Sequence, residues 1–190
     1  MLLLPEAHLY FQLEELRKIS GSKTIALNEK AIVILAKEKL DLKSLSEESF
    51  YPIGVVGYIS DIREGFVTVS LQYRINLENV FINPDHTIKL SISRRNEIED
   101  LDEGEKREKL KDLIAEMKKY ASGFDWGKAA DAYIGQVDSI NMAICMMAPW
   151  LKLNNEERYE LLKEDSVAIK RVCASMPISI FSRQIPEHGM

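Results

Sequence analysis

Two features of this 190-residue sequence could carry chemistry: a Lys-Thr pair in a candidate phosphate loop, and three histidines. The segment Ser20–Thr24 ends in Lys-Thr, but a phosphate loop needs glycine directly before its lysine and again five residues earlier. Those positions hold Ser22 and Arg17, so the backbone cannot wrap closely around a phosphate group. The histidines lie far apart, and none has a cysteine or a paired acid at ligand spacing. The sequence therefore predicts no cofactor-binding site and no metal site.

Residues for covalent or acid–base catalysis do not stand out either. No serine lies in the strand–turn–helix elbow of the serine hydrolases. Ser22 and Lys23 are neighbours in sequence, and side chains of sequence neighbours rarely point at each other. The 30 acidic residues contain no pair that the sequence singles out. We predict no catalytic residues in this chain, with a small enzyme that lacks a recognisable motif as an alternative.

Apolar residues in two parts of the chain are candidates for binding a partner. Met142–Met147 is rich in methionine, whose flexible side chains suit surfaces that adapt to varied partners. Aromatic pairs occur in the first half of the chain. These residues either pack the interior or form an exposed apolar patch, and the sequence leaves both readings open. The candidate patch for polypeptide binding consists of Tyr10, Phe11, Phe50, Tyr51, Met146, Met147 and Trp150.

Composition and charge restrict the class of protein. Hydrophobic residues make up 46% and charged residues 29%, as in ordinary globular domains. The net charge of −5 argues against a partner whose phosphates must be neutralised, so we expect no nucleic acid. The longest uncharged run, residues 139–151, is shorter than the roughly 20 residues of a membrane span. Cys145 and Cys173 lie in apolar contexts and no export signal is evident, which predicts reduced thiols and a cytoplasmic protein.

The first half of the chain is predicted to be β-rich. Residues 67–77 alternate between apolar and polar side chains, the pattern of a long strand with one buried face. Residues 53–62 precede it across the turn Arg63–Gly65, which predicts a hairpin. Residues 7–12 and 87–93 are further strand candidates, and the apolar run Ala31–Ala36 suits a strand that is buried on both faces.

The second half is predicted to be helical. The acidic residues 97–105 favour a solvated linker over a calcium loop, because their spacing does not follow an EF-hand. Apolar stripes predict one helix through residues 110–121 and another from Tyr133 to Met147. Asn154 with Glu157 predicts a capping box, and Asp165 or Ser166 caps a last helix. The predicted divisions are a β-rich part, residues 1–93; a linker, 94–105; a helical part, 106–176; and an extension, 177–190.

Several segments, in this order, resemble the amino-terminal domain of ATP-dependent Lon proteases. Leu4-Pro5 is similar to the opening of that domain, and residues 51–59 resemble its pattern of an aromatic residue followed by Ile/Val-Gly-Thr-Val-Ala-x-Ile. Arg74 fits the arginine on its next strand, although Leu71 stands where the family usually has glycine. Residues 153–162 resemble its Leu-Ser-x-Glu-Glu-Lys-Gln-x-Leu-Leu helix. Residues 21–27 and 169–172 are similar to further segments of the domain.

This resemblance implies an α+β fold, with a PUA-like β pseudo-barrel followed by a small helical subdomain. It also implies capture of unfolded or damaged polypeptides for an ATP-driven serine protease, with self-association through a hexameric parent enzyme. The ATPase and Ser/Lys protease modules are not in these 190 residues, so we expect no catalysis by this chain alone. A PUA-like RNA-binding module is the alternative, and the acidic charge weighs against it. Whether the chain is a fragment of a protease or a complete protein stays open.

Overall fold

The computed structural model describes residues 2–22, 24–40, 44–83, 87–123, 127–147 and 153–170. These residues form two compact units. The β unit comprises residues 2–96 and 154–163, and the helical unit comprises the described residues of 97–153 and those from 164 onward. The α+β class that the sequence predicts is confirmed.

The β unit is built on one antiparallel sheet. Its elements are β1 (His8–Gln12), α1 (Leu13–Ser20), β2 (Lys30–Ala36), a 3₁₀ turn (Glu47–Ser49), β3 (Phe50–Arg63), β4 (Phe66–Ile82), β5 (Ile88–Arg95) and α5 (Asn155–Lys163). The strand order is β1-β4-β3-β2, and β5 also pairs with β4. Because β3 occupies one edge of β4, the long strand pairs on its other edge with β1 near its start and with β5 near its end.

The predicted β3–β4 hairpin is confirmed. Glu64 and Gly65 form its turn with φ of 50° and 81°, as a two-residue turn matched to strand twist requires. Val67, Val69 and Leu71 are buried, and the residues alternating with them are not. The alternation ends at Arg74 and Ile75, which are both buried.

Two details of the β unit differ from the sequence analysis. Residues 14–20, where no regular structure was predicted, lie in α1, which ends at Gly21 in the left-handed conformation that favours glycine. The side chains of Ala31–Ala36 in the strand β2 are half-buried rather than buried on both faces. One glycine is required by close packing: a Cβ at Gly57 would lie 2.7 Å from the carbonyl oxygen of Ser70.

The helical unit contains α2 (Glu103–Ala121), α3 (Gly127–Ile134) and α4 (Ile140–Met147), and a helical turn at residues 167–170. The prediction of one helix from Tyr133 to Met147 is wrong, because Gly135 follows the end of α3 and Ser139 starts a new helix. The Ser139 hydroxyl oxygen accepts a hydrogen bond from the Met142 amide at 3.1 Å. Among the described residues no helix combines the length and the apolar character needed to cross a bilayer.

The boundaries of the structure lie elsewhere than the predicted divisions. β5 continues through Arg95, and α2 begins at Glu103, so both ends of the predicted linker belong to regular elements. The helix α5 belongs to the β unit, where it packs against β2 and β3. The predicted extension and the end of the last predicted helix lie outside the described residues.

Candidate functional site

The four patch residues of the β unit do not form one exposed surface. Tyr10 is 70% exposed on β1, and its neighbour Phe11 is half-buried. Phe50 is buried at the start of β3, at the far end of the sheet from β1. Tyr51 stacks on Tyr159 of α5, with ring centroids 4.2 Å apart.

Two further patch residues lie in α4 of the helical unit. In α4, Met146 is half-buried and Met147 is fully buried. Trp150 lies outside the described residues. Among the patch residues that the structure describes, Tyr10 thus has the most exposed side chain.

An exposed aromatic residue that the sequence analysis did not select lies beside Tyr10. Phe66 is 54% exposed at the start of β4. In the register of β1 and β4, Tyr10 pairs with Thr68 and Gln12 pairs with Phe66. Directly paired residues share a face, and diagonal neighbours lie about 7–8 Å apart. Tyr10 and Phe66 are therefore diagonal neighbours on one exposed surface, which we call the aromatic pair.

Polar side chains of the same face are tied together across three strands. His8 Nδ1 lies 2.9 Å from Ser70 Oγ, the Ser70 hydroxyl donates to Ser60 Oγ at 2.7 Å, and the Ser60 hydroxyl donates to the Thr68 carbonyl at 3.3 Å. The His8 imidazole and the two serine hydroxyl groups therefore form one hydrogen-bonded row beside the aromatic pair.

Two arginines of the sheet hold the C-terminal end of α5. Arg74, only 1% exposed, donates to the carbonyl oxygens of Leu162 at 2.9 Å and Asn96 at 3.2 Å. Arg95 donates to the Lys163 carbonyl at 3.3 Å. Positive charge at a helix C-terminus is favourable, because the last carbonyl groups lack partners within the helix. Both arginines thus position α5 on the β unit.

Acidic residues of the predicted linker make specific contacts within the helical unit. Glu97 accepts hydrogen bonds from the buried Lys170 ammonium and from Asn141. The Ser166 hydroxyl donates to Asp100, and this bond, with a second from the Ala168 amide, lowers the pKa of the Asp100 carboxyl. Within the part of the chain that the structure describes, no three metal-ligating side chains cluster. These acids hold residues 97–100 against residues 164–170.

Comparison with known proteins places the fold. No family model matches the sequence, and no curated protein matches it. Among solved structures, the N-terminal domain of Lon protease from the Mycobacterium avium complex is 18% identical, over 82% of this chain and 93% of that chain, with a TM-score of 0.49. A Lon N-terminal domain protein from Xanthomonas campestris is 15% identical, over 97% of this chain and 94% of that chain, with a TM-score of 0.50. The similarity to the Xanthomonas campestris protein shows that the chain has the fold of a Lon N-terminal domain.

Proposed function

We propose that this chain recognises unfolded or damaged polypeptides, as the substrate-recognition domain of an ATP-dependent Lon-type protease or as a stand-alone protein with that fold. The observation that carries the proposal is the aromatic pair. Tyr10 and Phe66 are 70% and 54% exposed as neighbours on one surface. Adjacent exposed aromatic residues are typical of surfaces that bind apolar segments. A folded protein buries such segments, so the surface favours unfolded chains.

The size of the aromatic pair predicts weak binding at a single site. An aromatic side chain buries about 150–250 Å² in total, and each apolar Å² removed from water stabilises by about 25 cal/mol. If binding covers about half of each ring, the hydrophobic free energy of binding is about 5 kcal/mol. This is close to the lower end of the free-energy cost of association. Self-association through a hexameric parent enzyme would raise the apparent affinity by effective concentration.

The proposal assigns recognition and not catalysis to this chain. We expect neither ATP nor peptide hydrolysis by the chain alone, and we expect it to act in the cytoplasm on polypeptides rather than on nucleic acid or membranes. The absence of a clustered catalytic constellation in the sequence motivates this expectation. A measurable hydrolysis of casein or ATP by the purified chain would contradict it.

Fluorescence anisotropy of a labelled, permanently unfolded protein tests the proposal. We expect the wild-type chain to bind the unfolded form and not the folded form of the same protein. The double variant Tyr10→Ser/Phe66→Ser should weaken binding at least about tenfold, which corresponds to about 1.4 kcal/mol.

The matched control is Phe81→Ser. Phe81 is 60% exposed on the same strand β4 but lies at its other end, paired with Lys89 of β5. Binding by this control should stay close to wild type. Equal loss in the control and in the double variant would contradict a role for the aromatic pair, and equal binding of folded and unfolded protein would contradict the function.

A further inference from the structure

We propose that the bound polypeptide adds to the outer edge of β1 as an extended strand. This inference rests on the function proposed above and specifies the class of substrate. Backbone hydrogen bonds to β1 would hold the segment, and the aromatic pair would select its side chains. The segments that fit are extended, free of proline and apolar at alternate positions.

The hydrogen bonds around β1 show which of its backbone groups point outward. The Leu13 amide donates to the Gly65 carbonyl at 2.7 Å, and the Leu71 amide donates to the Ala7 carbonyl at 2.9 Å. In an antiparallel pair, the residues that bond across the ladder alternate with those that bond away from it. The N–H and C=O groups of residues 9 and 11 therefore face β4, whereas those of His8 and Tyr10 and the N–H group of Gln12 point away from the sheet. The Gln12 carbonyl belongs to the N-cap of α1.

The outer edge of β1 is accessible. β1 is a terminal strand in the sheet order, and no described strand pairs with its outer side. The side chains of His8, Tyr10 and Gln12 are all exposed. The outward N–H and C=O groups alternate at the spacing of a strand, so an extended backbone is the ligand that satisfies them together.

The other terminal strands of the sheet have features that discourage pairing, and β1 does not. Charged side chains on an edge strand, lysine above all, oppose the addition of another strand. β5 contains Lys89, Arg94 and Arg95, whereas His8–Gln12 contains no lysine, arginine or acidic residue. β2 begins with Lys30 and contacts α5, whose Asn155 side chain donates to the Ala36 carbonyl at 3.4 Å.

The side chains around this edge predict what the segment must contain. A residue paired with Tyr10 in an added strand lies on the exposed face with the Tyr10 ring. Phe66 is one strand further on, about 10 Å from the axis of the added strand, within reach of a large side chain. Phe11 is half-buried on the opposite face of β1. The next residue of the added segment would lie beside it. Large apolar residues on the exposed face are therefore favoured.

Backbone N-methylation of a labelled peptide tests strand addition. The probe is a peptide of roughly ten residues with apolar side chains at alternate positions, methylated at every second amide in one of the two possible sets. We expect methylation of one set to weaken binding at least about tenfold and methylation of the other set to change it less than about twofold. Equal behaviour of the two sets, whether both bind or both fail, would overturn the inference.

A substitution in the protein gives an independent test. Gln12 has φ of −69°, which a proline ring accepts without strain, and its N–H points away from β4. Gln12→Pro therefore removes an outward donor and keeps the ladder to β4, and Gln12→Ala is the matched control. Peptide binding should fall at least about fivefold in Gln12→Pro and stay near wild type in Gln12→Ala. Equal binding by the two variants would overturn strand addition.

The outcomes separate this inference from the proposed function. If the double variant of the aromatic pair loses binding while Gln12→Pro and both methylated peptides bind normally, polypeptide recognition stands and strand addition fails. If the wild-type chain binds no unfolded polypeptide, both fail. If Gln12→Pro does not fold, the methylated peptides on the wild-type chain decide.

Discussion

Arg74 Nη1 donates a hydrogen bond to the carbonyl oxygen of Leu162 at 2.9 Å, across 88 residues of sequence. The bond joins the buried centre of β4 to the last turn of α5. The same guanidinium reaches Asn96 at the end of β5, so one side chain fixes three elements of the β unit. A residue that lies in the middle of an alternating strand thereby determines where a helix late in the sequence packs.

Replacing Arg74 should destabilise the β unit strongly. Arg74→Met leaves the carbonyl groups of Leu162 and Asn96 without their donor, and each buried unsatisfied group costs about 1–3 kcal/mol. We expect the free energy of unfolding in urea to fall by about 2–5 kcal/mol. Arg63→Met is the control, because Arg63 is 82% exposed and its ion pair with Asp61 contributes little. A loss equal to that of the control would contradict this role of Arg74.

The turn between β3 and β4 offers a stabilising substitution. Glu64 has φ of 50°, a conformation that asparagine and glycine adopt more readily than glutamate. Glu64→Asn should raise the free energy of unfolding by about 0.5–1 kcal/mol, measured in urea. The control Glu48→Asn makes the same substitution outside this turn, and it should change the free energy of unfolding little. Destabilisation by Glu64→Asn would show that the turn has another conformation.

The Asp100–Ser166 bond predicts a pH dependence of stability. The Ser166 hydroxyl and the Ala168 amide lower the pKa of Asp100 below its ordinary value of 3.8. A carboxyl with a lowered pKa in the folded state stabilises the fold above its unfolded pKa. This stabilisation is lost as the pH falls through the folded pKa.

The variant Ser166→Ala tests this dependence. The variant should be less stable than wild type at pH 6. The difference in free energy of unfolding between the two proteins should narrow as the pH falls below about 3.8. Urea unfolding of both proteins at a series of pH values measures this difference. A difference between the two proteins that is independent of pH would contradict the assignment.

Local signals were sufficient to predict several elements. The capping box at Asn154 is present as both reciprocal bonds, 2.8 Å from the Asn154 amide to Glu157 and 2.9 Å from the Glu157 amide to Asn154. The β3–β4 hairpin follows from period-2 alternation and from Gly65. In both cases the residues that specify the structure lie within a few positions of one another, so the sequence contains the whole interaction.

Features that depend on distant contacts were not predicted. Phe66 is exposed because it alternates with the buried Val67, but the pairing of β1 with β4 is what places it beside Tyr10. Phe50 and Met147 have the residue types of a binding patch, yet both pack inside. The break between α3 and α4 was missed because the apolar spacing from Tyr133 to Met147 fits one helix. Tyr133 is in fact 64% exposed, so it takes no part in that stripe.

Polypeptide recognition at β1 is tested most directly by mapping backbone amide chemical shifts while an unfolded, unlabelled polypeptide is added to the isotope-labelled chain. Recognition at the aromatic pair and the edge of β1 predicts the largest changes at His8–Gln12 and at residues 66–70 of β4. The Phe81 amide, at the other end of β4, should not move. No change at any residue, or changes confined to residues away from β1 and the start of β4, would contradict recognition at this edge of the sheet.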